Sequence, residues 1–254
     1  MALLELDNCT KQFGGLKAVS GVSLNVAPGA LAGLIGPNGA GKTTVFNLIT
    51  GVYEPTTGAI RLDGKNISGR TPSQIAAGGI SRTFQNIRLF ADLTVLENVR
   101  IACHVRNQST LLDALLRTGR HYQAEKDILA RSYRLLELFG LQDHAHWRST
   151  SLPYGEQRRL EIARALATQP KVLLLDEPAA GMNPQEKEEL MHLIERVRTE
   201  FNVAVLLIEH DMQLVMSICE RITVLDYGEI IAEGKPAEIR SNPKVIEAYL
   251  GEPV

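Results

Sequence analysis

Residues Gly36-Pro37-Asn38-Gly39-Ala40-Gly41-Lys42-Thr43 match the pattern G-x-x-x-x-G-K-[ST]. The apolar run 31–35 precedes this stretch, and helically spaced apolar residues follow it from Val45 to Ile49. A strand that ends in a glycine-rich turn and continues as a helix is the context that this motif requires. Glycines let successive backbone N–H groups turn toward phosphate oxygens, and the dipole of the helix start favours an anion. The stretch therefore predicts a phosphate-binding loop in a layered α/β fold.

The two residues that directly follow the last glycine, Lys42 and Thr43, carry the predicted chemistry of this loop. Lys42 can bridge the β- and γ-phosphates of a nucleotide, and the Thr43 hydroxyl can hold Mg²⁺. A glycine turn that matches by chance is the alternative. The motif alone does not choose between GTPases, kinases and ATPase motors, but the chain contains no Asn-Lys-x-Asp sequence for guanine recognition. Its absence argues against a GTPase.

A second acidic element follows the apolar run 172–175, which is typical of a buried strand. Asp176 and Glu177 end this run, and two carboxylates there are costly to desolvate without a cation or hydrogen-bond donors. We expect Asp176 to lie near Mg²⁺. Glu177 is predicted to orient and deprotonate the water that attacks the γ-phosphate. The alternative is a plain strand-end turn into Pro178.

The composition sets broad limits on function. The chain has 254 residues, 27 Lys and Arg against 29 Asp and Glu, and 44% hydrophobic residues. This is ordinary globular composition, and a near-neutral charge argues against a general nucleic-acid binder. No apolar run approaches the ~20 residues of a membrane-spanning helix, and the first residues lack the basic start of a signal peptide. The sequence alone therefore leads us to expect a chain that stays in the cytoplasm.

Strand-like and helical segments alternate along most of the chain. The runs 22–26, 31–35, 172–175 and 203–208 read as strands, and 222–225 with 230–231 read as a closing pair around Tyr227-Gly228. The part from about 94 to 168 has few strand signals, and its apolar residues fall near helical spacing. We expect the two α/β segments to form one sheet, with the helical part as a side lobe.

The stretch 152–166, Leu-Pro-Tyr-Gly-Glu-Gln-Arg-Arg-Leu-Glu-Ile-Ala-Arg-Ala-Leu, resembles the signature sequence of ATP-binding-cassette (ABC) ATPases. Other family landmarks follow the same order over essentially the whole chain. The resemblance implies that Phe13 stacks on adenine, that Gln85 contacts Mg²⁺ and the attacking water, and that His210 touches the γ-phosphate. Singly, Phe13 could be a core aromatic, Gln85 a surface amide, and His210 a cap of the helix from Asp211 onward.

The chain departs from the family pattern at several positions. Pro153 replaces the signature serine and lacks both its hydroxyl and a backbone N–H. Tyr154 and Glu156 replace the usual Gly and Gln, so phosphate contact rests on N–H groups near Gly155. Asn183 stands where an aspartate is usual. These changes bear on coupling between subunits.

Among ABC ATPases the chain looks most like those of branched-chain amino-acid importers. The matching stretches are 82–85 with 88–90, 154–155 with 158–161, 178–184, 208–212 and 248–252, and the helical lobe has a similar insert around 104–120. The resemblance implies an ATP-hydrolysing motor subunit for branched-chain amino acids. Related systems for urea import or lipopolysaccharide export are alternatives, and so is a soluble ABC ATPase outside transport. A non-hydrolysing, nucleotide-gated assembly protein is a further class, against which the set of Lys42, Asp176, Glu177 and His210 argues.

The same resemblance implies the fold and its division. We expect a P-loop NTPase of ABC type, with a mainly parallel sheet core, an N-terminal antiparallel β part and a helical subdomain. The core would span 1–86 and 160–254 and end in a helical tail over 236–254, and the helical subdomain would span 87–159.

The expected cofactors are ATP and Mg²⁺. The catalytic residues would be Glu177, His210, Gln85 and Lys42, and the metal ligands Thr43, Gln85 and Asp176. The ATP-binding set would be Phe13, Gly36, Pro37, Asn38, Gly39, Ala40, Gly41, Lys42, Thr43 and Thr44, with Tyr154, Gly155 and Glu156 from the signature stretch.

The expected partners follow from the family's use of shared sites in a dimer. A second ABC ATPase, identical or different, would pair with this chain. Ile87, Leu89 and Phe90 lie close together and could form part of a groove for a helix of a membrane permease. The alternative is that they pack in the core of the helical lobe. A periplasmic binding protein would act indirectly, nucleic acid would not bind, and the chain would work peripherally at the cytoplasmic face of the inner (plasma) membrane.

Overall fold

A computed structural model describes residues 2–106 and 119–250, with the backbone alone at Arg106 and Leu250. Most of the insert predicted around 104–120 and the residues 251–252 of the C-terminal resemblance lie outside the described residues. The chain forms two compact units, one of 1–82 with 171–254 and one of 83–170. Among the described residues, no helix combines the length and apolar character needed to cross a membrane.

The first unit contains a six-stranded sheet in the order β10-β9-β3-β8-β7-β6. Four of its five strand pairings are parallel, and only β9 and β10 pair antiparallel. Its central strands are buried along their whole length, as expected of strands covered on both faces. The strands are β3 (Leu31–Ile35), β6 (Ile80–Arg82), β7 (Val172–Asp176), β8 (Ala204–Ile208), β9 (Arg221–Asp226) and β10 (Glu229–Gly234).

The predicted closing pair is the β9–β10 hairpin. Its turn residues Tyr227 and Gly228 both have positive φ, 44° and 81°. Positive φ at both central residues gives a turn whose twist matches that of the flanking strands. The hairpin therefore closes one edge of the sheet, as predicted.

A four-stranded antiparallel sheet, in the order β2-β1-β4-β5, completes the β part of this unit. The predicted strand 22–26 is the second half of β2. Alternate residues of β2 and β1 point into a core shared with the first helix, which includes Leu6, Leu24 and Phe46. The strands are β1 (Leu4–Phe13), β2 (Leu16–Val26), β4 (Thr57–Leu62) and β5 (Lys65–Asn66).

Six described helices belong to the first unit. Two of them begin with capping boxes, at Thr71 with Gln74 and at Asn183 with Glu186, in which side chains satisfy the free N–H groups of the first turn. The helices are α1 (Lys42–Ile49), α2 (Pro72–Gly78), α6 (Pro184–Phe201), α7 (Met212–Ile218), α8 (Pro236–Arg240) and α9 (Pro243–Leu250). The last two form the predicted helical tail as far as the structure describes it.

The second unit is helical, and its described part has no named strand. Its helices are α3 (Val95–Cys103), α4 (Gly119–Leu138) and α5 (Tyr154–Ala167), with short 3₁₀ turns at 104–106, 142–144 and 149–151. Thr94 and Glu97 form a capping box at the start of α3. The three helices pack against one another, and their buried apolar residues include Val99, Leu136 and Leu160.

The helical unit is longer than the predicted subdomain of 87–159. Its C-terminal side includes all of α5, because this helix packs against α3. Its N-terminal side starts at Thr83, because side chains of α5 hold the backbone of Phe84, Gln85 and Arg88. The mixed α/β class, with a mainly parallel sheet, an antiparallel part and a helical part, is confirmed.

Candidate active site

The phosphate-binding loop joins the end of β3 to the start of α1, as the sequence predicts. Gly36 and Gly41 have φ of 151° and 102°. A Cβ atom on Gly36 would collide with the carbonyl oxygen of Leu225, and one on Gly41 would lie 2.6 Å from that of Ala18. Both positions therefore require glycine, which fixes the curl of the loop.

Lys42 begins α1 and turns its ammonium group back into the loop. Its Nζ donates hydrogen bonds to the carbonyl oxygens of Gly36 at 2.6 Å and Pro37 at 2.9 Å. Burial lowers the pKa of Lys42, and the negative charges of Glu177 and Asp176 partly oppose this effect. The lysine thus places a positive charge in the loop, within electrostatic reach of both carboxylates. Thr43 and Thr44 follow it in the first turn of the helix.

Asp176 is the last residue of β7, and its carboxylate forms a buried ion pair. Its Oδ2 accepts a hydrogen bond from Nη2 of Arg82 at 2.7 Å. Only 7% of the arginine side chain and 5% of the aspartate side chain are exposed. Because a lone buried charge is costly, the arginine explains how this carboxylate is accommodated.

Glu177 has a backbone conformation that is rare for a residue with a side chain. Its φ is 47°, in the left-handed region, and its N–H donates to the carbonyl oxygen of Ile208 at 2.9 Å. Such strained residues concentrate at functional sites. The carboxylate lies 3.8 Å from Nδ1 of His210, whose side chain is 60% exposed. The predicted water-activating residue and the predicted γ-phosphate contact are therefore neighbours.

His210 does not cap the following helix. The N-cap of α7 is Asp211, whose carboxylate accepts a hydrogen bond from the N–H of Leu214 at 3.3 Å. The carboxylate of Asp211 also accepts a hydrogen bond from Nζ of Lys187 at 2.8 Å, which lowers the pKa of Asp211. The alternative of a capping role for His210 is thus excluded.

Glu209 is a buried acid near the site that no sequence motif indicates. Its Oε1 accepts a hydrogen bond from the N–H of Ala179 at 2.9 Å, and its Oε2 accepts one from the N–H of His210 at 3.3 Å. Burial raises the pKa of Glu209. This carboxylate ties the segment after Glu177 to the segment that carries His210. An acid directly after the apolar run 203–208 was the signal available in the sequence.

Phe13 is an exposed aromatic and not part of the core, since 42% of it is accessible. Its ring meets that of Tyr53 edge to face, with 5.1 Å between centroids. The Nζ of Lys11 lies 5.2 Å from the Phe13 centroid. An accessible aromatic ring beside a cation suits a planar, electron-rich ring such as adenine.

The signature residues form the first turn of α5 in the helical unit. Pro153 is the N-cap and makes no side-chain capping bond. The carboxylate of Glu156 lies 2.8 Å from Nδ1 of His144, whose ring stacks on Trp147 with 4.1 Å between centroids. Tyr154 is exposed. This helix start presents backbone N–H groups of the kind that bind anions.

Gln85 lies in a segment that α5 holds through two fully buried charges, Arg158 and Glu161. Arg158 donates to the carbonyl oxygens of Phe84 and Gln85, both at 2.6 Å, and to Glu161 at 2.9 Å. Glu161 in turn accepts from the N–H of Arg88 at 3.2 Å. Arg158 is 0% and Glu161 1% exposed. The sequence does not reveal this pair, because both residues look like ordinary polar positions of a helix.

The segment after Gln85 includes the three predicted docking residues. Phe90 is 48% exposed, whereas Ile87 and Leu89 are half-buried. The guanidinium of Arg164 lies 5.2 Å from the Phe90 centroid. The alternative of core packing therefore fails for Phe90.

The first unit thus brings together the phosphate-binding loop, Asp176, Glu177 and His210, while Gln85 and the signature turn belong to the second. Within the described residues, no group of three or more His, Cys, Asp or Glu side chains could hold a metal ion by itself. Any metal held here would rely on a few protein oxygens and on the ligand's phosphates, which is how Mg²⁺ is usually bound.

Known proteins resemble this chain in sequence and in fold. A family model for the ABC transporter matches residues 19–180, and one for the branched-chain amino acid ATP-binding cassette transporter matches 229–254. The high-affinity branched-chain amino acid transport ATP-binding protein BraF of Pseudomonas aeruginosa is 50% identical over 250 residues, 98% of each chain.

Two solved structures extend the comparison. The ADP conformation of an ATP-binding cassette of an ABC transporter has a TM-score of 0.86 and 32% identity, covering 99% of this chain and 100% of that one. A dimeric cassette in a post-hydrolysis state, bound to ADP and Pi, has a TM-score of 0.77 and 27% identity, covering 92% and 98%. The chain therefore belongs to the ABC transporter family, as one of its ATP-binding, ATP-hydrolysing subunits.

Proposed function

We propose that this chain is the ATP-hydrolysing motor of an ABC importer for branched-chain amino acids. The observation that carries the proposal is the convergence of the phosphate-binding loop, Asp176, Glu177 and His210 in one unit of a chain that is 50% identical to BraF along its length. The match of residues 229–254 to the branched-chain amino acid cassette family supports the substrate class.

ATP would bind with its phosphates on the backbone N–H groups of residues 36–44 and on Lys42. In the structure Lys42 donates to two loop carbonyls, so its ammonium group already lies within the loop. Phe13 would support the adenine ring. The hard oxygen donors Thr43 and Asp176 suit Mg²⁺ and would hold it together with the phosphates. When bound, Mg²⁺ would neutralise charge that develops on the phosphates.

Glu177 is the proposed base for the attacking water. Its φ of 47° lies in the left-handed region, and its carboxylate lies 3.8 Å from Nδ1 of His210. The histidine can donate a hydrogen bond to the γ-phosphate. Gln85 would contact Mg²⁺ and the water.

A dimer would complete each ATP site. The N–H groups at the start of α5, around Tyr154, Gly155 and Glu156, would face the γ-phosphate held by a partner ATPase, identical or different. ATP would then join the two subunits, and hydrolysis would weaken the contact, which shifts the population toward an open dimer.

The membrane contact is proposed at Ile87, Leu89 and Phe90. An exposed phenylalanine beside two half-buried aliphatic residues can receive an apolar helix of a permease subunit. The chain would work at the cytoplasmic face of the inner membrane and respond to a periplasmic binding protein only through the permease. Phe90→Ala tests this surface, because the hydrogen bonds of Phe90 to Asn98 and Ser149 use its backbone and survive the substitution.

The experiment is affinity purification of the tagged chain from detergent-solubilised membranes, followed by leucine uptake in the same cells. We expect integral membrane subunits to co-purify with the wild type and to be depleted with Phe90→Ala. Tyr122→Ala, which removes another exposed aromatic from the same unit, should behave as wild type. Recovery of ribosomes or DNA without membrane subunits would contradict transport, and uptake of urea but not leucine would contradict the substrate.

A further inference from the structure

The side chain of Arg82 connects two elements that carry the proposed Mg²⁺ donors. Arg82 ends β6, which runs parallel to β7, with Arg82 opposite Leu174. Its Nη2 donates to Asp176 at 2.7 Å, and its Nη1 donates to Oδ1 of Asn47 at 2.6 Å. The two arms of one guanidinium therefore join the end of β7 to helix α1.

The contact of Arg82 with Asn47 is on the face of α1 that also carries Thr43. Asn47 lies four residues after Thr43, so the two side chains are neighbours on the same face of α1. The guanidinium also lies 5.4 Å from the ring centroid of Phe46, which is buried. The arginine is thus fixed from the helix side and acts on the face that presents Thr43.

We propose that Arg82 is a positioning residue, which fixes Asp176 relative to Thr43 and thereby sets how strongly Mg²⁺ promotes ATP binding. The proposal rests on the proposed role of Asp176 and Thr43 as Mg²⁺ donors. A planar guanidinium can serve two acceptors at a fixed angle, whereas a lysine ammonium on a flexible stem cannot reproduce both contacts. Residues that orient metal ligands typically change metal affinity by about 10- to 100-fold when they are removed.

Two other roles make different predictions. A purely structural ion pair would lower the stability of the fold and weaken ATP binding equally with and without Mg²⁺. A competing cation would oppose Mg²⁺ at Asp176, and its removal would strengthen the response to Mg²⁺. Only the positioning role predicts a selective loss of that response.

The test measures binding of a fluorescent ATP analogue to the purified full chain, in EDTA and over a Mg²⁺ titration. Arg82→Met should leave affinity in EDTA within about twofold and raise the Mg²⁺ concentration for half-maximal effect by about 10-fold or more. Arg82→Lys should give a smaller shift, and Asn47→Ala a shift in the same direction. Arg221→Met is the matched control, because this exposed arginine pairs with Glu233 at the same 2.7 Å.

Circular dichroism is used to check that each variant is folded. If Arg82→Met does not fold, the test relies on Arg82→Lys and Asn47→Ala. Equal losses with and without Mg²⁺, or a stronger Mg²⁺ response, would overturn the positioning role. The variant Asp176→Asn distinguishes a failure of the Arg82 proposal from a failure of the proposed metal role of Asp176. If Asp176→Asn abolishes the Mg²⁺ response while the Arg82 variants keep it, only Arg82 is misassigned. If Asp176→Asn keeps the response, the metal role of Asp176 itself fails.

Discussion

Replacement of Arg158 by methionine should destabilise the helical unit strongly. The change removes hydrogen bonds to the carbonyl oxygens of Phe84 and Gln85, both at 2.6 Å, and the 2.9 Å contact to Glu161. Glu161 would keep its longer backbone contacts, to the N–H of Phe84 at 3.4 Å and of Arg88 at 3.2 Å, and the more distant charge of Arg164. Its charge would remain buried, since Glu161 is 1% exposed.

The magnitude follows from this loss of charge compensation. Removal of one partner of a buried ion pair costs about 3–5 kcal/mol. A typical domain has a free energy of unfolding of about 5–15 kcal/mol, so Arg158→Met would lower this free energy by a large fraction. In Arg158→Met/Glu161→Met neither side chain leaves a buried charge, and the remaining cost is that of the unpaired backbone groups, about 1–3 kcal/mol each. The double variant should therefore be more stable than the sum of the two single losses predicts.

Urea unfolding followed by tryptophan fluorescence gives the measurement. The chain has one tryptophan, Trp147, which lies in the helical unit and stacks on His144. Its signal therefore reports on the unit that contains the pair. Arg159→Met is the control, because this partly exposed neighbour in α5 lies 3.9 Å from its carboxylate partner, and surface changes typically stay within about 0.5 kcal/mol.

A loss below about 1 kcal/mol for Arg158→Met would refute the argument that an uncompensated charge dominates. Strict additivity in the double variant would refute the coupling between the two side chains. A small loss would mean that water or the charge of Arg164 compensates Glu161 once Arg158 is removed.

Three further outcomes test the nucleotide site and the core. Glu177→Gln should bind ATP and favour a closed dimer, but turn over about 10²- to 10⁴-fold more slowly; turnover within a few-fold of wild type in a phosphate-release assay would exclude Glu177 as the base. Lys42→Ala should abolish ATP binding in calorimetry, and unchanged affinity would count against the loop assignment. Burial raises the pKa of the Cys219 thiol from 9.0 to about 12, so the unfolded chain releases this proton first and stability should fall as pH rises above 9. In urea unfolding at rising pH, the wild type should lose about 1.4 kcal/mol more per pH unit than Cys219→Ala; equal slopes would show that the thiol does not titrate differently on unfolding.

Sequence patterns predicted the elements whose burial is uniform or whose turns need glycine. The uniformly buried strands β3, β7 and β8 and the hairpin at Tyr227-Gly228 were all identified from short runs. The short strands β5 and β6 gave no such signal, because β5 is exposed and β6 holds its place by pairing with β7. Pairing partners distant in the chain leave no local periodicity, which is why β6 and its terminal Arg82 were missed.

The site residues also divide into those that a local motif indicates and those whose partners are distant in the chain. Loop and strand-end residues of the phosphate site were identified because motif spacing ties their chemistry to local structure. Arg82, Glu209 and the Arg158–Glu161 pair act through partners that are distant in sequence, so only the three-dimensional structure reveals their burial. For Glu209, the position directly after the apolar run of β8 is a sequence signal that could have indicated it.

The departures from the family pattern fall at helix starts, where backbone N–H groups supply the contacts proposed for phosphate. Asn183 accepts a hydrogen bond from the N–H of Glu186 at 2.9 Å, as an aspartate would, and the two residues cap helices about equally well. The carbonyl of Pro153 accepts the first bond of α5, from the N–H of Gln157 at 2.9 Å, and an N-cap N–H has no role in the helix ladder. Asn183 therefore caps α6 as an aspartate would, and the N–H that Pro153 lacks belongs to the N-cap, outside the first turn of α5. The departure that does alter the local charge is Glu156, a carboxylate at a helix start proposed to meet phosphate, and this carboxylate pairs with Nδ1 of His144 at 2.8 Å.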